Sequence, residues 1–302
     1  MNVIFMGTPD YAEKILAKLI ENKNINIVAV YTQPDKPVGR KKVITSPEVK
    51  NLAKSKNITV YQPNRLRDSE VVSELLKIEC DYIVVAAYGQ ILPRAILDHA
   101  PCINLHASIL PQYRGASPIQ QTLLNNDAIT GVTAMLMEEG LDTGDILKID
   151  TMNVPKDMML ESLFTSLTKI ATLLTIDVLE NFEKLIPKKQ NDEESSHCKK
   201  IIKKDGLVTF NNSSQLYNKY RAFTPWPGIF LESGTKLKKM ELVEKSITGE
   251  SGKILEVNTN NILVSCSVGI VKIYTVQPVS KKEMSVISYI NGKRLTIDDT
   301  FI

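Results

Sequence analysis

The sequence is poor in the residues that build metal centres and cross-links. Its 302 residues include only 3 histidines, 4 cysteines and a single tryptophan. The cysteines (Cys80, Cys102, Cys198 and Cys266) lie far apart with no Cys-x-x-Cys pair, so neither a zinc site nor a disulfide framework is supported. No run approaches the roughly 18 apolar residues of a membrane span. The start, MNVIFMGTPD, has neither the basic opening nor the long apolar core of a signal peptide. The first glycine turn, Gly7-Thr8-Pro9-Asp10-Tyr11, lacks the second and third glycines of a dinucleotide fingerprint, which disfavours NAD or FAD, and there is no Walker lysine motif. These absences describe a reduced, soluble, cytoplasmic protein with no membrane partner and no metal.

What is present is ordinary for a globular chain: 43% hydrophobic and 24% charged residues, at a length that suggests two domains. The first half alternates Val/Ile-rich runs (2–7, 25–32, 81–87 and 102–107) with amphipathic stretches. Such continuous apolar runs suit strands buried on both faces. Between the first two runs, Ala12, Ile15, Leu16 and Leu19 recur at helical spacing behind Pro9. Strand–helix alternation predicts a Rossmann-like, mostly parallel sheet covered by helices. Two further strand-like runs (131–137 and 145–154) precede a long helical pattern that Pro187 ends. A polar stretch follows, and from Leu207 short β-rich runs separated by Gly and Asn turns predict a small OB-like β-barrel. The expected organisation is therefore a catalytic α/β domain over 1–187, a basic linker over 188–206 and the barrel over 207–302.

The net charge of +3 conceals a pattern. Residues 35–56 carry a net +5, residues 57–187 a net −8, and the segments 188–204 and 205–302 a net +3 each. Segregation of this kind can draw a polyanion to part of the surface, and solvated lysines on loops would give the same count.

The chemistry-bearing constellation is Asn104-Leu105-His106. Residues two apart on a strand face the same way, so an amide and an imidazole project together. They stand at the end of a predicted parallel strand, where open α/β sheets hold their ligands. The amide can donate to an oxygen, and the imidazole can move a proton near neutral pH. Asn104 could equally cap the next loop, with His106 a satisfied core residue. The loop Ser108–Gly115 and the turn Glu139–Asp145 add weight, because Asp142 could orient an imidazole, although Asp-x-Gly is also common turn chemistry.

The motifs GTPD (7–10), PDKPVGRKK (34–42), YGQILP (88–93), NLHASILPQYRGASP (104–118), GLDTGD (140–145) and RAFTPWPG (221–228) together resemble the methionyl-tRNA formyltransferases, in order along essentially the whole chain. The Asn…His…Asp set and its following loop are shared by the wider family that uses 10-formyltetrahydrofolate, so they speak to the reaction and not to the acceptor. The basic loop and the Ala-Phe-x-Pro-Trp-Pro-Gly segment point to the tRNA-using member, and Ile109 stands where that family has leucine.

The resemblance implies that Asn104, His106 and Asp142 are catalytic and that no metal is required. It implies a folate cleft lined by Gly89, Gln90, Ile91, Leu92, Ser108, Ile109, Leu110 and Pro111. Arg40, Lys41 and Lys42 would then meet initiator methionyl-tRNA, with no DNA partner and the chain acting as a monomer. The alternatives are a formyltransferase acting on a small amine, a hydrolase of the same folate, or an RNA-binding module with a silent catalytic domain. TPWPG is read as interdomain packing in preference to an RNA-stacking element.

Overall fold

A computed structural model describes residues 1–39 and 41–301. In chain order the elements begin β1 (Asn2–Gly7), α1 (Asp10–Glu21), β2 (Asn26–Tyr31), β3 (Lys36–Val38), β4 (Val43–Thr45), α2 (Glu48–Ser55) and β5 (Val60–Tyr61). There follow α3 (Ser69–Leu75), β6 (Tyr82–Ala86), α4 (Arg94–Leu97), β7 (Cys102–His106), β8 (Arg114–Gly115) and α5 (Pro118–Asn125). Then come β9 (Ile129–Leu136), β10 (Ile146–Asn153), α6 (Leu160–Asn181) and the short β11 (His197–Cys198).

A seven-stranded sheet runs in the order β10-β9-β7-β6-β1-β2-β5. Its β7-β6-β1-β2-β5 part is parallel, and β9 and β10 join antiparallel at one edge. The Rossmann-like reading holds, with an antiparallel edge that apolar patterning alone does not specify. Val3, Ile4, Phe5 and Met6 are fully buried, as a strand covered on both faces requires. Helix α1 buries Tyr11, Ala12, Ile15, Leu16 and Leu19 on a single stripe. Helix α6 has the length and mean hydropathy of a membrane span, 1.4 over its best window. Its fully buried Leu167, Ala171, Leu174 and Val178 recur at the spacing of a core helix.

The remaining elements are α7 (Ser213–Phe223), β12 (Ile229–Phe230), β13 (Lys236–Thr248), β14 (Ile254–Val257), β15 (Ile262–Ser265), β16 (Val268–Gln277), β17 (Met284–Ser285) and α8 (Val286–Lys293). Their sheet is antiparallel and follows the path β12-β13-β16-β15-β14, with β17 added to β16. Among the described residues no strand pairing closes this path, so the β-rich part is an antiparallel sheet without a closed barrel. Alternating burial of Gly269, Val271 and Ile273 on β16 gives the sheet one core face. Trp226, expected in packing, is 58% exposed.

The chain divides into two compact units, and the division differs from a cut at Pro187. One unit comprises Met1–Pro118, Ile129–Asn153 and Phe164–Cys198, and the other Ile119–Ala128, Val154–Leu163 and Lys199–Ile302. Two physical causes are visible. The segment following Pro187 makes backbone pairs inside the first unit: Lys188 with Ile146, and β11 with β8. Within the second, the fully buried Arg221 donates from Nη2 to Leu123 O and to the side-chain oxygens of Asn126 and Asn218. A buried guanidinium has to find such acceptors, and α5 with its following turn supplies two of the three.

Candidate active site

Strand β7 ends where the parallel part of the sheet meets its antiparallel edge. Asn104 pairs in register with Val85 on one side and Met135 on the other, and His106 with Thr133. The Tyr11 hydroxyl donates to Leu105 O at 3.3 Å, holding the strand from behind between the two candidate groups. Burial raises the Tyr11 phenol well above its ordinary value, so it stays a donor.

The chain then folds back on itself. Thr133 Oγ1, on β9, donates to Ser108 O and accepts from Leu110 N, at 2.7 and 3.0 Å. Ser108 Oγ donates to Gln112 O at 2.6 Å. This closed loop delivers Tyr113 O to within 2.9 Å of His106 Nε2. A carbonyl can only accept, so Nε2 carries a hydrogen and the other ring nitrogen, Nδ1, is the one left for proton exchange.

Nδ1 faces Asp142, with Oδ2 at 3.7 Å, and both side chains are largely enclosed, 7% exposed for His106 and 12% for Asp142. Asp142 sits in the left-handed region at φ +54°. Its Oδ2 accepts from Gly115 N at 2.8 Å, and its Oδ1 accepts from Asn104 Nδ2 at 3.3 Å. An amide, an imidazole and a carboxylate from two separate segments thus converge on one point. The set can stabilise charge on an oxygen and relay a proton beside it.

Around this point, residues 1–179 match the family model described as formyl transferase, and residues 200–294 match the one described as formyl transferase, C-terminal domain. The chain belongs to the formyl transferase family. It is 66% identical over 300 residues, 99% of each chain, to a protein named methionyl-tRNA formyltransferase from Sulfurimonas denitrificans. A protein of the same name from a Nitratiruptor species is 54% identical over 303 residues, the full length of both. Among solved structures, an N-formyltransferase from Helicobacter canadensis, in complex with folinic acid and dTDP-3-aminofucose, matches with a TM-score of 0.69 and 19% identity. That match covers 91% of this chain and 99% of the other, and at such identity it speaks to the fold.

Within this formyltransferase the residues assigned to the folate cleft differ in what they can offer. Gly89 has φ +79°, and a Cβ there would meet only Gln33 Nε2 at 3.9 Å. The Gln90 side chain is committed elsewhere, accepting from Leu66 N and donating to Pro63 O. Ile91 is 83% exposed, while Leu92 belongs to the core cluster beneath the sheet. Ser108 and Leu110 are buried, Ile109 and Pro111 partly so. The polar side chains here are tied up, which leaves backbone groups and apolar surface to face a ligand.

Arg40 lies outside the described residues. Lys41 and Lys42 are exposed at the tip of the hairpin formed by β3 and β4, where sequence reading sees only a loop. That hairpin also holds Val38, Val43 and Ile44 in solvent. Its base is fixed by Asp35, which accepts from Lys50 at 2.7 Å, Gln62 at 2.9 Å and Ser46 at 3.0 Å. The hydrogen bonds from Gln62 and Lys50 lower the Asp35 carboxyl to about 2. Among the described residues no group of three or more His, Cys, Asp or Glu is placed to hold a metal ion. The four cysteines are free, and burial pushes the thiols of Cys102 and Cys266 up to about 12.

Proposed function

We infer that this formyltransferase moves the formyl group of 10-formyltetrahydrofolate onto the α-amine of methionyl initiator tRNA. Full-length likeness to proteins named methionyl-tRNA formyltransferase supports the acceptor. The observation that carries the chemistry is the convergence of Asn104, His106 and Asp142. The amine nitrogen attacks the formyl carbon and pushes negative charge onto the formyl oxygen. Asn104 Nδ2 has one hydrogen engaged by Asp142 and a second free to meet that oxygen. Loss of a donor of this kind costs about 10²–10³ in turnover. When the bond to folate N10 breaks, the amine has lost a proton and N10 has gained one. Nδ1 of His106, oriented by Tyr113 O and facing Asp142, is the relay atom.

The folate lies over the backbone of Gly89–Leu92 and Ser108–Pro111. The tRNA meets Arg40, Lys41 and Lys42, and the β3–β4 hairpin exposes Lys41, Lys42, Val38, Val43 and Ile44, which suit an acceptor end. The chain works as a cytoplasmic monomer. The decisive assay combines purified protein, 10-formyltetrahydrofolate and methionyl initiator tRNA, with free methionine, elongator methionyl-tRNA and an amino sugar nucleotide as controls. Formyl-methionyl initiator tRNA is the expected product. Formylation of the sugar amine alone would overturn the assignment.

A further inference from the structure

The polar stretch after Pro187, which composition presents as a tether, contains a buried amide that no step above employs. Gln190 is 6% exposed. Its Nε2 donates to Asp142 O at 2.9 Å and to Gly144 O at 2.8 Å. Its Oε1 accepts from Arg114 Nε at 3.1 Å and Nη2 at 2.8 Å. The amide orientation is unambiguous, because carbonyls only accept and a guanidinium only donates. Both amide hydrogens and both lone-pair directions of the oxygen are used. Arg114 is itself buried, and its Nη2 continues to Asp192 Oδ1 at 2.8 Å, on a side chain 79% exposed. The next residue, Gly115, supplies the N–H that holds the Asp142 carboxylate, and a Cβ there would lie 2.4 Å from Cys198 O. One two-residue strand and one glutamine therefore grip Asp142 at both its carboxylate and its carbonyl.

We propose that Gln190, held by Arg114, is a positioning residue for formyl transfer: it fixes the left-handed turn at Asp142 and so sets the carboxylate against Asn104 and His106. The assignment rests on the catalytic reading of Asp142. Asp142 at φ +54° occupies a backbone region uncommon for residues with a side chain, though aspartate enters it more readily than most. Gln190 holds it there through two carbonyls of the turn, and its amide is fully engaged by protein groups.

The test is a double-mutant cycle in the full chain, measured as kcat and KM for methionyl-tRNA. The thermal midpoint and the affinity for folinic acid are recorded for each variant. Gln190→Ala is expected to lower kcat by about 10- to 100-fold, the scale of a small misplacement of a reacting group. KM for tRNA stays within about three-fold, since the interaction lost is one that matters chiefly in the transition state. Gln190→Glu is the sharper variant: it keeps size and the pairing with Arg114 but has no hydrogen for the two carbonyls, so it fails as Ala does. In an Asp142→Asn background, Gln190→Ala causes little further loss. Independent, multiplicative losses would overturn the proposal, and so would a Gln190→Glu enzyme with normal kcat. Normal turnover in Asp142→Asn alone would instead remove the catalytic reading of Asp142, and the brace with it. If Gln190→Ala does not fold, Arg114→Lys carries the same cycle, because it keeps the charge but loses the two-pronged contact.

Discussion

A carboxylate whose two oxygens and own carbonyl all have partners, as in Asp142, presents one geometry to its neighbours. The consequences are tested residue by residue. Asn104→Ala, His106→Ala and Asp142→Ala should each lower single-turnover formylation by about 10²-fold or more, with melting midpoints close to that of the parent. A folded variant that turns over normally loses its place in the scheme. That these three lie near one another could be anticipated in the sequence, because Asn104 and His106 share a face at the end of an apolar strand and Asp142 stands in a turn beside a further strand-like run. Gln190 was not legible. Its neighbours Lys188, Lys189, Asp192, Glu193 and Glu194 have the composition of a solvated tether, and nothing local reports that one amide among them is buried. Thr133 and Arg114 were missed for the same reason: each acts on a segment distant in sequence.

At the scale of elements, two short pieces do more than their length suggests. Strand β8 pairs with β11 so closely that Gly115 has no room for a methyl group, and its φ of +116° suits glycine alone. Gly115→Ala should therefore displace the N–H that binds Asp142, with a loss of kcat that exceeds its effect on folinic acid affinity. The β3–β4 hairpin depends on Asp35. The folded-state carboxyl lies near 2 against an ordinary 3.8, so its contribution is full above pH 3.8 and fades as pH falls through 2. The difference in melting midpoint between the parent and Asp35→Asn should accordingly be constant near about pH 6 and close as pH approaches about 2. A gap independent of pH would mean that Asp35 acts by shape and not by charge. The sequence shows this region as a loop because Pro37 and Gly39 dominate its local preferences, and three-residue strands leave too short a pattern to read. The longer elements were legible: apolar runs gave β1, β2, β6 and β7, and helical spacing gave α1 and α6. That β9 pairs antiparallel with both β7 and β10 was not, since apolar patterning reads the same whichever way a strand runs.

At the scale of the molecule, the charge pattern predicts how binding responds to salt. Affinity for tRNA should fall linearly with salt on a double logarithmic plot, by about 0.7–0.9 for each phosphate contact. Lys41→Glu combined with Lys42→Glu should flatten that slope by roughly 1–2 and weaken kcat/KM for tRNA, while folinic acid binding is unchanged. An unaltered slope would leave the hairpin as a solvated turn. The two compact units are built from interleaved pieces of chain. Buried Arg221 draws the turn at Leu123–Asn126 into the second unit, and Lys188–Cys198 is drawn into the first.

That interleaving bears on how such a chain can be recombined. A fragment ending at Pro187 would lack Gln190 and β11, and one beginning at Lys199 would lack Leu123 O and Asn126 Oδ1 as acceptors for Arg221. A chimera joining the amino-terminal part of one relative to the carboxy-terminal part of another at a single crossover near the tether would inherit mismatched partners on both sides. A graft that respects the contacts needs exchanges at 119–128 and 154–163 as well as at 199, so the second unit is portable only as three pieces of chain.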